Sequence, residues 1–171
     1  SGSGTLVLNG TNTYTGGTTV SEGVLQGDTI SLQGNILNYG QVIFHQTSDG
    51  TYAGVISGTG SLSKDATGLL ILTGDHTYTG ATTIHAGALA VNGSLTSPVT
   101  VDAAGTLMGT GTVAGSVVNS GVIAPGQSIG TLTVNGHLTF AAGSTYQVEA
   151  NAAGQSDKTV VSGTTTISGD Q

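Results

Sequence analysis

The side chains with the greatest chemical reach in this 171-residue chain are one serine, nine carboxylates and four histidines. Ser128 lies in Gly126-Gln127-Ser128-Ile129-Gly130, the G-x-S-x-G spacing of a hydrolase nucleophile elbow. That elbow needs a sharp turn from a strand into a helix. The residues after Ile129 read instead as a strand, Gly130 to Val134, so no catalytic role is expected for Ser128. The carboxylates suggest a second chemistry, calcium-assisted cleavage of an acidic polysaccharide. It requires clustered acids and a basic residue beside the sugar carboxylate. Glu22, Asp28, Asp49, Asp65, Asp75, Asp102, Glu149, Asp157 and Asp170 are scattered, and arginine is absent. His45, His76, His85 and His137 would make a metal site only if chain stacking brought them together; they are expected on surface corners. No catalytic, cofactor-binding or metal-binding residue is therefore expected, and the sequence does not select a binding face.

Composition narrows the partners further. Lys64 and Lys158 are the only basic residues, cysteine is absent, and the formal net charge is −7. Such a chain has little with which to neutralise phosphates, which argues against nucleic acid and anionic lipid. Disulfides and thiolate metal sites are excluded. No apolar run approaches the roughly 18 residues of a membrane-spanning helix. With 36% apolar residues the chain can bury a core, and with 6% charged residues its polar surface falls to Thr, Ser and Asn.

The elements that must position these groups are short strands. Gln41-Val42-Ile43-Phe44, Thr131-Leu132-Thr133-Val134 and His137-Leu138-Thr139-Phe140 each alternate sides, and Asn-Gly, Asp-Gly or single glycines punctuate them. Helical periodicity is missing. Moving the chain by 64 positions lays Gly4–Gly27 on Gly68–Val91 with 12 of 24 positions identical, among them Leu6/Leu70, Leu8/Leu72, Thr13-Tyr14-Thr15-Gly16 on Thr77-Tyr78-Thr79-Gly80, and Gly23/Gly87. A repeat longer than any strand and built of strand-length pieces signals a solenoid rather than a sandwich. The expected fold is all-β, a right-handed parallel β-helix with three sides and about eight coils of about 21 residues. Leu6 and Leu8 are expected three coils from Leu70 and Leu72 in one interior ladder. Tyr14 and Tyr78 are expected at corners with hydroxyls in water. Ala141–Ser144 and Ala150–Gln155 read as loops off one corner. Thr133, Thr139 and Thr164 to Thr166 show no fixed coil spacing, against an ice-binding threonine array.

Gly58-Thr59-Gly60-Ser61-Leu62 with Lys64, then Gly68, Leu70, Leu72, Gly74, Tyr78-Thr79-Gly80, Thr82-Thr83 and Gly87-Ala88-Leu89, resemble the autotransporter-associated β-strand repeat of Gram-negative type V passenger domains. Ala124-Pro125-Gly126, Ser128, Gly130-Thr131-Leu132, Gly143-Ser144-Thr145-Tyr146 and Gly154-Gln155-Ser156-Asp157-Lys158 are similar to a stretch toward the C-terminal end of many passengers. The resemblance implies one β-helical segment over residues 1–171, with two repeat copies in 1–97 and C-terminal passenger-type coils in 98–171. It implies export through the periplasm, passage through an outer-membrane translocator barrel on the same polypeptide, and display at the cell surface or secretion. The chain opens halfway through a repeat and stops before any barrel, so a piece of a longer passenger is expected. Its expected role is the non-enzymatic stalk of an adhesin or self-associating protein, with host surface molecules or identical passengers as partners. The alternatives are the stem of an enzyme or toxin whose active part lies upstream, and a polysaccharide-binding or polysaccharide-cleaving β-helix.

Overall fold

The computed structural model describes residues 2–168, so Ser1 and the carboxylate Asp170 lie outside the described residues. All regular structure among them is strand, and every strand-to-strand ladder is parallel. The chain winds around three faces. Leu25, Val42, Leu62, Thr82, Val99, Val117 and Leu138 stack rung on rung inside the first. Leu70, Leu89, Leu107 and Ile123 do so in the second, and His76, Leu95, Val113 and Val134 in the third. Nearly all of these side chains are fully buried. Alternation along each short strand is what fills the tube: Leu70 and Leu72 point in while Ile71 between them points out.

Turns starting at Val24, Gln41, Ser61, Thr82, Val99, Val117 and Leu138 make seven between Val24 and Thr165, after an opening turn from Thr5 beside the open end. At ~4.8 Å per rung the stack from Thr5 to Thr165 is about 38 Å. Coil length also varies. The first-face register runs Leu6, Leu25, Val42, Leu62, steps of 19, 17 and 20, and later stretches from Leu138 to Thr165, a step of 27. Two strands, Thr82–Val91 and Val99–Gly109, are far longer than a single face and bend across the corner between the first and second.

These shorter early coils correct the expected ladder. Three coils carry Leu6 to Leu62, not to Leu70; the eight residues left over advance the chain to the next face. The two repeat copies are thus related by three coils and one face. Leu70 and Leu72 are fully buried in the second face, whereas Leu6, in the first, is 57% exposed beside the open end of the stack. The repeat is a unit of strand, corner and strand that fits any side of the triangle. Its identical glycine explains this portability. Gly23 and Gly87 have φ of +77° and +68°, and a Cβ on either would lie 2.4 Å from a backbone oxygen of the coil before, that of Gly4 or Ala66. Only glycine allows the backbones so close.

The two long excursions leave from successive corners, not from one. Ala141–Ser144 joins the first face to the second, and residues 147–157 join the second to the third. Elsewhere corners are closed by buried asparagines in a shared Asn-x-Gly pattern. Asn38 accepts from Gly40 N and donates to Ser61 O, and Asn119 accepts from Gly121 N and donates to Thr145 O.

Candidate functional site

The repeated tyrosines are not wetted corner residues. Tyr78 is fully buried, and its hydroxyl pairs with Thr82 Oγ1, which in turn pairs with Ser97 Oγ at 2.6 Å. In the other copy Thr18 Oγ1 donates to the Tyr14 hydroxyl at 3.2 Å, which also accepts from Gln33 N at 3.0 Å. The Tyr-to-Thr hydroxyl pair at a spacing of four is therefore one device used twice: the Tyr78 ring fills the tube, the Tyr14 ring is half-buried near the open end, and each hydroxyl finds a partner. Tyr78→Phe removes one partner from the buried Thr82–Ser97 chain and is expected to cost about 1–2 kcal/mol, read from the urea midpoint at unchanged slope.

His76 also departs from the surface position expected of it. It occupies the third-face core row one rung before Leu95 and lies between Tyr52 and Tyr78, each ring centroid 6.4 Å away. Its Nδ1 accepts from Ile56 N at 3.1 Å, which fixes the neutral tautomer, and Nε2 is buried without a partner among the described residues. Burial outweighs the nearby Asp75 carboxylate and pushes the imidazole down to about 4. Between the unfolded value near 6.5 and this one, the unfolded chain binds the extra proton, so stability falls as pH drops across that window. The expected loss is about 3 kcal/mol between pH 6.5 and 4. His76→Leu, matching Leu95 on the next rung, should flatten that part of the curve in urea titrations at a series of pH values.

The remaining titratable groups stay apart. His85 Nδ1 meets Asp102 Oδ2 at 2.7 Å on the surface, and His45 and His137 are exposed. Among the described residues no group of three His, Asp or Glu side chains is placed to hold a metal ion.

Lys64 takes an interior position that no lysine of a polar surface would. It shares a core row with Phe44 and Ile84 and is fully buried. Its ammonium donates to the carbonyls of Asp65, Ala66 and Ala86 at 3.0, 2.8 and 3.1 Å. Ala66, at φ 65°, is the sole non-glycine residue with positive φ among the described residues. Burial pulls the ammonium down to about 8 against the opposing pull of Asp65 and Asp49.

Ser128 is exposed on the corner between the second and third faces, followed by the Thr131–Val134 strand with no helix, and no histidine lines the cavity beside it. The serine thus lacks the strand-to-helix setting of a nucleophile. What the structure adds is the reason for its glycines and for a distant aspartate. Asp157, 6% exposed, accepts from Gly130 N at 2.7 Å through Oδ1 and from Glu149 N at 3.0 Å through Oδ2. A Cβ on Gly126 would lie 2.8 Å from that same Oδ1 and closer still to Ser128 O. The Ala124–Gly130 corner and the Gly154–Lys158 segment, far apart in sequence, are two halves of one clasp.

The fold and these groups define a β-solenoid whose buried polar side chains hold coil to coil. Residues 1–26 and 62–91 match the passenger-associated-transport-repeat family. The chain is similar to an extracellular serine protease of Serratia marcescens, 47% identical over 104 residues, 60% of this chain and 10% of the relative. It is also similar to the adhesin BmaC autotransporter of Brucella suis biovar 1 (strain 1330), 39% identical over 118 residues, 65% of this chain and 3% of the relative. A second extracellular serine protease of Serratia marcescens is 35% identical over 132 residues, 73% of this chain and 13% of the relative. The chain therefore spans a small part of each of these relatives. Residues 1–26 and 62–91 thus carry the repeat associated with passenger transport, and the named relatives are an autotransporter adhesin and extracellular serine proteases.

Proposed function

We propose that this segment is the stalk of a surface-displayed passenger, without catalytic activity of its own, in an adhesin or self-associating protein. The observation that carries the reading is the unbroken parallel ladder, in which each coil presents a finished edge to the next and side chains such as Thr82, Lys64 and Asp157 bond across coils. A stack of this kind grows by nearest-neighbour addition. Coils formed outside the membrane would template those that follow and oppose backsliding through a translocator barrel on the same polypeptide. Residues 1–171 act in this reading as one unit, with the two repeats in 1–97 and the clasped coils in 98–171. Partners are host surface molecules or identical passengers, and the whole protein serves attachment or virulence. The named adhesin relative supports this reading, and the two relatives named serine proteases favour a second one, in which the same stalk carries an enzyme placed upstream.

Deleting Gly58–Gly130 from the full-length passenger, and scoring surface display separately from adhesion or autoaggregation, tests the proposal. Loss of display supports the stalk. Normal display and normal adhesion would overturn it, and normal display with lost adhesion would make this stretch a binding surface rather than a stem. Proteolytic activity of the full-length passenger would favour the second reading.

A further inference from the structure

The clasp encloses more than it needs to hold itself shut. Against the outer side of the second face it bounds a cavity of about 210 Å³. Met108 and Ala124, which alternate with the buried Leu107 and Ile123, give it apolar surface together with Pro125. Around them stand Gln127, Ser128, Gln147 and Glu149. Gln127 uses its Oε1 on Asn92, leaving its NH₂ uncommitted, and the side chains of Ser128, Gln147 and Glu149 make no hydrogen bond among the described residues. The walls are held from behind, because the Asp157 carboxylate fixes the backbone of both Gly130 and Glu149.

From this arrangement we infer that the clasp is a binding site for a neutral pyranose, such as one residue of an uncharged glycan. A pyranose has an apolar C–H face and a rim of hydroxyls that both donate and accept. Here an apolar patch is ringed by an amide donor, two further groups of mixed character and a carboxylate acceptor, the pattern of a small-ligand site with a few convergent polar groups. The charges select against acidic sugars: Glu149 and Asp157 line the cavity and no basic residue does. Without an aromatic platform and with one open side, the site is expected to be weak, in the millimolar range, and to gain strength through repetition on a crowded surface. The inference rests on the proposed placement of the segment at the surface only for its biological use; the binding itself is a property of the purified chain.

The test is a titration of the isotopically labelled 171-residue chain with the methyl glycosides of glucose, galactose, mannose and N-acetylglucosamine, with sialic acid as the acidic control. The expected result is a saturable shift of the Gln127 and Gln147 side-chain amides and the Ser128 backbone amide with at least one neutral glycoside. Sialic acid should leave them unmoved. Gln147→Ala should weaken the response about tenfold or more while the urea midpoint stays at its wild-type value, since that side chain bonds to nothing in the clasp. No saturable shift with any of the four, or a response unchanged in Gln147→Ala and in Ser128→Ala, overturns the inference. Display failing in the deletion experiment while these shifts persist would separate the stalk role from the site.

Discussion

Replacing Leu72 with Asp should lower stability by at least about 4 kcal/mol. Leu72 is fully buried in the second face, with Tyr52 on the rung before it and Val91 on the rung after. The substitution removes a packed side chain, worth roughly 2–5 kcal/mol, and leaves a carboxylate with no partner in the core. A domain of this size has about 5–15 kcal/mol to lose, so the variant should be largely unfolded or melt in the coils around it. Leu37→Asp is the control. Leu37 points outward from the third face and is 37% exposed, so the same change there should cost under about 1 kcal/mol. Urea midpoints of the two variants measure the contrast, and equal losses would mean that the inside and outside of the tube are wrongly assigned.

Lys64→Met should cost about 3–5 kcal/mol although it exchanges a buried charge for an apolar side chain of similar length. Swapping a whole buried ion pair for hydrocarbon is often harmless because both partners leave together. Lys64 has no such partner to remove. Its acceptors are the backbone carbonyls of Asp65, Ala66 and Ala86, which remain in place whatever residue stands at 64. Losing the ammonium takes a donor from all three acceptors at the corner between the first and second faces, across two coils, and Asp65 O keeps a second donor in Gln46 N. Urea unfolding of Lys64→Met and Lys64→Arg measures the effect; a Met variant as stable as the wild type would show that the cage is not what keeps the lysine inside.

The fold was legible where the code is alternation and punctuation. Thr131–Val134 and Gln41–His45 are strands as their patterns imply, and the repeat led to a solenoid rather than a sandwich. The 64-residue repeat is not a whole number of equal coils. Coil length depends on how each corner turns, and a corner can absorb one residue or a loop such as 147–157 without disturbing the ladder. His76, expected on a surface corner, and Lys64, a position of the repeat motif, each lie in an apolar row because their polar atoms meet backbone groups inside the tube. Tyr78 carried a usable signal, its spacing of four from a threonine in both copies. Asp157 stands in the quoted Gly154–Lys158 stretch, but its role does not show there, since its partners lie 27 and 8 residues away and only the stacked structure brings them together. Threonines hid a similar order: Thr83, Thr100, Thr139 and Thr166 stand in one outer row interrupted by Val118, reached by unequal steps.

In the proposed stalk, function depends on coil-on-coil stacking rather than on any one stretch of sequence. Removing residues 99–116 joins Pro98 to Val117, which already sits in register with Val99, and so deletes one coil cleanly. Removing only 99–107 shifts every later row onto the wrong face. Surface display of the two full-length variants is the measurement: the whole-coil deletion should be displayed and melt close to the wild type, and the part-coil deletion should be neither displayed nor stable. Equal display, or equal failure, would contradict the account.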